Sequence, residues 1–91
     1  MNSPFRIKLD RDFEFMLNCA MRYCLGRRTY APGLFCSYVT PLLPCLSDSA
    51  LENLRYNFTL TRDYGDNCDK DTWLKFHAAI EREVSRRKEN A

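Results

Sequence analysis

Apolar residues recur at three- and four-residue spacing in successive stretches of this chain, and helix-breaking residues separate the stretches. Gly26, the pair Pro41 and Pro44, and the run Tyr64-Gly65-Asp66-Asn67 are the breaks. A face that repeats every 3.6 residues is a helix face, and it is stable only when a neighbour covers it. At 91 residues the chain makes one domain with a modest core. The pattern predicts an all-α fold, a compact four-helix single domain over 1–91 with a short extended N-terminal arm over 1–9.

The first helix is expected from about Asp12 to Leu25, with Asp10 or Asp12 as its cap. Phe13, Leu17, Ala20, Met21 and Cys24 share its inward face, and Gly26 offers the left-handed position that ends many helices. A shorter helix is expected over about Pro32 to Thr40, with Leu34, Phe35, Tyr38 and Leu42 on one side. Pro41 disfavours helical geometry at Thr40, which makes Pro41 to Cys45 a stiff connector. A third helix starts near Ser47 to Ser49 and ends by Arg62, with Leu51, Leu54 and Phe58 buried; Ser49 and Glu52 have the spacing of a capping box. The fourth is capped by Asp69 or Asp71 and turns Trp73, Phe76, His77, Ile80 and Val84 inward. Beyond Ser85 that face holds Arg87 and Lys88, so packing is expected to fade and residues 86–91 to fray. Trp73, Phe58, Phe13 and Leu17 are the expected core anchors. Phe5, Ile7 and Leu9 alternate with charges, which suits an extended arm.

The 14 basic and 12 acidic residues leave a net charge of +2, too little to imply nucleic acid by itself. The longest apolar runs fall far short of a membrane span. Five cysteines follow no secretory leader pattern, so the expectation is a soluble cytosolic protein with reduced thiols.

Chemical motifs are sparse. Cys19 and Cys24 stand about 140° apart on a helix, and Cys36 and Cys45 are not spaced as a zinc pair. The aspartates at 63, 66, 69 and 71 lack the glutamate and the glycine placement of a calcium loop, and turn formation or capping accounts for them. His77 reads as a hydrogen-bonded core residue; a thiol–histidine pair is the enzymatic alternative, with no orienting third group in the pattern. No catalytic residue, metal or cofactor is assigned, and the chain is read as non-enzymatic.

The candidate contact surface is Arg22, Arg27, Arg28 and Tyr30 with Phe15, which lies on the outer stripe of the first helix beside Arg22. Outward aromatics among arginines suit a binding surface. The structural alternative is that the arginines cap the helix while the arm or the second helix covers Phe15. Tyr56 and Leu60 form a second outward pair, suited to a dimer seam, so monomer and homodimer both stay open. The C-terminal Arg82, Arg86, Arg87 and Lys88 alternate with glutamates, which suits a solvated helix end; nucleic-acid binding through this group and the Arg22, Arg27 and Arg28 cluster is the alternative.

The stretch Met21-Arg22-Tyr23-Cys24-Leu25-Gly26-Arg27-Arg28-Thr29-Tyr30, with Cys68-Asp69 to Trp73 and the helix that follows, resembles a family of small, mostly uncharacterised tailed-phage and prophage proteins. The likeness runs from about Phe13 to Ile80; the cysteine richness and the Phe5 to Leu9 arm depart from it. It implies a phage accessory protein in the cytoplasm of the bacterial host that binds a host or defence protein complex, such as an anti-CRISPR or anti-restriction inhibitor. It assigns no catalytic residue.

Overall fold

The computed structural model describes residues 10–25, 32–60 and 70–90, with the main chain alone at Leu60. They form α1 (Arg11–Leu25), α2 (Gly33–Val39), a 3-10 segment (Thr40–Cys45), α3 (Asp48–Leu60) and α4 (Lys70–Glu89). The described residues make an all-α four-helix domain. The expected arm, Gly26, the turn expected over Tyr64 to Asn67 and the end of α3 expected near Arg62 lie outside the described residues. α4 is the central element, packed against α3, α2 and the 3-10 segment, whereas α1 packs chiefly on α3 and forms one edge.

Local chemistry sets the boundaries. Asp10 caps α1: its Oδ1 accepts the Phe13 N–H at 2.8 Å, and its carbonyl accepts the Glu14 N–H at 3.0 Å. Pro41 cannot donate to a continuing α-helix, and the chain tightens into the 3-10 segment at Thr40, whose hydroxyl donates to the Cys36 carbonyl at 2.6 Å. The stiff connector is thus a helical turn.

The start of α3 is built differently from the Ser49–Glu52 box. Ser47 is the cap, its Oγ accepting the Ala50 N–H at 3.1 Å. The carboxylate that returns to the cap belongs to α1. Glu14 accepts the Ser47 N–H at 2.8 Å and the Ser47 hydroxyl at 2.9 Å. A capping box is therefore completed across two helices, and the same bonds fasten α1 to α3. Glu52 instead pairs with Arg55 at 3.1 Å.

Trp73 is the centre of the core, fully enclosed, with the Phe35, Phe58 and Phe76 rings 6.1, 6.2 and 6.3 Å away. Met21, Leu51, Leu54 and Ile80 are also fully enclosed. Of the expected anchors, Trp73 and Phe58 are buried but Phe13 and Leu17 are only half-buried. As an edge helix, α1 closes against the core in its last turns, at Met21, Cys24 and Leu25. Ala20 is exposed. The phase expected for α2 also differs. Cys36 and Val39 turn inward with Phe35 beside them, and Leu34 and Tyr38 stand outward, each 72% exposed. A seven-residue helix has room for one buried stripe, and the neighbouring Trp73 and Phe76 select the one containing Phe35.

Replacing Trp73 with Ala should cost about 3–5 kcal/mol, as for other large-to-small changes in a core. Its Nε1–H is buried with no hydrogen-bond partner among the described residues. Trp73→Phe removes that unpaired donor along with some area, so chemical denaturation should rank it well above Trp73→Ala. Equal losses for the two would show that the indole nitrogen does have a partner.

Ser47→Ala and Glu14→Gln should each cost about 0.5–2 kcal/mol, the scale of a lost helix cap. In a double-mutant cycle the losses should be strongly non-additive. Additive losses would mean that the two side chains act separately.

Candidate functional site

α1 turns Leu17, Met21 and Cys24 toward the core, so helical geometry puts Asp12, Phe15, Met16, Cys19, Arg22 and Tyr23 on the opposite side. All six are exposed; Phe15 and Met16 are 69% and 63% exposed. A helix apolar on both sides normally has neighbours on both sides. An open groove of about 460 Å³ runs between this face and α3, lined by Arg11, Asp12, Phe15, Asn18, Ser49 and Asn53 among others.

Arg22 and Phe15, two of the expected contact residues, do share this face. Arg27, Arg28 and Tyr30 lie outside the described residues. Arg22 also has a structural task. Its Nε donates to Asn57 Oδ1 at 3.2 Å. Asn57 is fully enclosed, and its Nδ2 donates to Asn18 Oδ1 at 2.7 Å. A buried amide without partners costs about 1–3 kcal/mol, and Asn18 and Arg22 remove that cost. The other donors of the guanidinium have no acceptor among the described residues.

Two of the four C-terminal basic residues, Arg86 and Arg87, are engaged by acidic side chains, while Arg82 and Lys88 are exposed. α4 continues to Glu89, and the packing expected to fade after Ser85 is tight at Arg87. This guanidinium donates to Glu83 at 2.8 Å, Asp48 at 2.7 Å, and the Leu43 and Leu46 carbonyls at 3.0 and 2.7 Å. It thereby joins α4 to the end of the 3-10 segment and the start of α3. Arg86 binds the same Glu83 at 3.1 and 2.6 Å. Glu83 is buried, yet hydrogen bonds from Arg86, and then from Arg87, pull its carboxyl down to about 2.

His77 stacks on Phe58 with ring centres 4.2 Å apart. Its Nε2 lies 3.2 Å from Glu81 Oε2, which also accepts from Arg55 at 2.8 Å. The Arg55 bond, foremost, holds the Glu81 carboxyl below its usual range. This is a bridge between α3 and α4. Burial pushes the Cys24 thiol up, which makes it a poorer nucleophile. Cys19 and Cys45 are exposed free thiols. Among the described residues no three side chains converge as metal ligands, and no helix is long and apolar enough to cross a membrane.

Asn57, Glu83 and the Glu14–Ser47 pair were missed by pattern reading. Asn57 is three residues after Leu54 and Glu83 three after Ile80, so continuing each apolar stripe through its polar members would have found them. Glu14 and Ser47 are 33 apart in sequence, and no local signal joins them.

No protein-family model, no curated protein and no solved structure matches this chain.

Glu83 makes the fold acid-sensitive. Its carboxyl lies lower in the folded chain than its usual 4.5, so the folded state favours the charged form. That stabilisation is complete above pH 4.5 and is lost as the pH falls toward about 2. Glu83→Gln should be less stable than the parent at neutral pH, and the gap should narrow across that window in denaturant titrations. A constant gap would mean that the ion pairs with Arg86 and Arg87 contribute nothing.

Proposed function

We propose that this chain is a non-enzymatic protein-binding domain whose contact surface is the outer face of α1. The observation that carries the reading is the apolar exposure of Phe15 and Met16 beside Arg22 on an edge helix. Large apolar side chains held in water on one face mark interaction surfaces, and an aromatic with an arginine is the pairing that dominates binding energy. The resemblance to small phage proteins supplies the setting: an accessory protein in the bacterial cytoplasm that binds a host or defence complex, of the anti-CRISPR or anti-restriction kind. Arg27, Arg28 and Tyr30 follow α1 in sequence and remain proposed contact residues.

Direct nucleic-acid binding is the competing reading. It needs several cations available to phosphates, and Arg86 and Arg87 spend their charge on Glu83 and Asp48. The near-balanced net charge of +2 also counts against it.

The test compares the parent with Phe15→Glu, because Arg22 supports Asn57 and its loss would disturb the fold. Phe15→Glu should keep the parent's circular dichroism and melting temperature and lose the partner captured from infected host cells. Neither protein should bind random duplex or single-stranded oligonucleotides at physiological salt. Micromolar binding to such oligonucleotides, weakening steeply with salt, would replace this reading with the competing one.

A further inference from the structure

We propose that the groove between α2 and α4 holds an extended acidic peptide segment of a protein partner, with its carboxylates on Lys75 and Arg82. No residue lining this groove belongs to α1, so the inference stands apart from the reading of the α1 face.

Charge sets the sign of the ligand. The groove is open, with a volume of about 430 Å³, and its charged lining residues are Lys75 and Arg82. Both are exposed, and neither has a hydrogen-bond or ion-pair partner among the described residues. The opposite wall cannot neutralise them, because residues 32–46, which contain α2 and the 3-10 segment, include no charged side chain. On α4, Glu81 and Glu83 flank Arg82 in sequence but are bound by Arg55 and by Arg86 and Arg87. Asp71, one turn before Lys75, and Glu89, two turns past Arg82, are not part of the lining. Two positive charges are thus kept for a ligand.

The hydroxyls set its backbone. The α2 side of the groove presents Ser37 and Thr40. Their hydrogens are already used: Ser37 donates to the Leu34 carbonyl at 3.1 Å and Thr40 to the Cys36 carbonyl at 2.6 Å. Each oxygen can still accept. The ligand therefore brings donors as well as negative charge. A DNA backbone has phosphates and no donor. A helical peptide has most of its N–H groups in internal bonds. An extended acidic peptide has both carboxylates and free N–H groups.

Spacing agrees. Lys75 and Arg82 are seven residues apart, about 10.5 Å along α4 and on nearly the same side. In a polyproline-II segment, side chains three residues apart share a side and stand about 9 Å apart. The flexible stem of the lysine covers the difference. Phe76 and Ala79, between the two cations, supply an apolar floor.

The test titrates the isotopically labelled full chain with a nonapeptide of three Glu-Ala-Pro repeats, read by amide NMR. Saturable shifts should concentrate at Gly33, Ser37, Thr40, Lys75 and Arg82. Replacing both cations, Lys75→Gln with Arg82→Gln, should weaken binding about tenfold, the combined scale of two exposed ion pairs. A side chain added at Gly33 meets nothing within 4 Å. Gly33→Glu therefore sets a carboxylate on the groove without crowding the fold, and it should weaken binding while the melting temperature is kept. The uncharged Gln-Ala-Pro counterpart should not bind. The proposal is overturned by an absence of saturable shifts at millimolar peptide, by shifts centred elsewhere, by equal binding of the Gln-Ala-Pro peptide, or by indifference to the groove variants. A single-stranded oligonucleotide that moves the same amides more strongly than the peptide would also overturn it, giving the groove to phosphates. Phe15→Glu should leave the titration unchanged, so failure here and failure of the α1 face are read separately.

Discussion

The indole of Trp73 is where the chain becomes one body. It lies on α4, yet its walls come from α2 through Phe35, from α3 through Phe58, and from its own helix through Phe76. Aromatic rings offer large area and prefer tilted or edge-on contacts, and the rings meet Trp73 at 46°, 77° and 68°. The position of α2 follows from this cluster. Two turns of helix have little intrinsic stability, so α2 takes the rotation that presents Phe35 to Trp73, and Leu34 and Tyr38 face water as a result.

Apolar burial alone would leave the helices free to slide, and three polar contacts oppose that. Arg87 reaches from α4 to the carbonyls of the 3-10 segment and to Asp48 at the start of α3. Asn57 on α3 binds Asn18 and Arg22 on α1. Glu14 on α1 completes the cap of α3 at Ser47. Each is directional and has one satisfactory geometry, and a displaced partner leaves a buried or half-buried polar group unmet. Their role is to fix one arrangement; the apolar cluster supplies most of the gain in free energy.

The parts of the structure legible in the sequence are those written locally. The four helices, the Asp10 cap, the break at Pro41 and the burial of Trp73 follow from periodicity and capping chemistry. The misreadings at Leu34 and Tyr38 share one cause: periodicity identifies a helix's apolar faces but not which one a neighbour will cover. Phe13 and Leu17 lie on the expected face of α1 and are only half-buried because α1 is an edge helix that closes against the core in its last turns. The Ser49–Glu52 box failed for a related reason: Ser47 offers an equally good cap, and Glu14 from another helix decides between them. Of the candidate surface, Phe15 and Arg22 were placed together correctly on one helix face, while the second role of Arg22 depends on Asn57, 35 residues away.

That second role bears on the proposed contact surface. α1 meets its neighbour along one side, and two polar contacts hold it at separate points: Glu14 to Ser47 near its start, and Asn18 and Arg22 to Asn57 near its end. Between those anchors lie Phe15, Met16 and Cys19. An edge helix tied at both ends loses little freedom when a ligand arrives, and lower ordering cost appears directly as affinity. Under the proposed function Arg22 would act in two ways, through the donors it offers outward and through its hydrogen bond to Asn57, which holds α1 against α3. Loss of binding on removing Arg22 would mix these effects. Phe15 has no such internal duty among the described hydrogen bonds and ring contacts, so its contribution to binding can be read separately from the presentation of the helix.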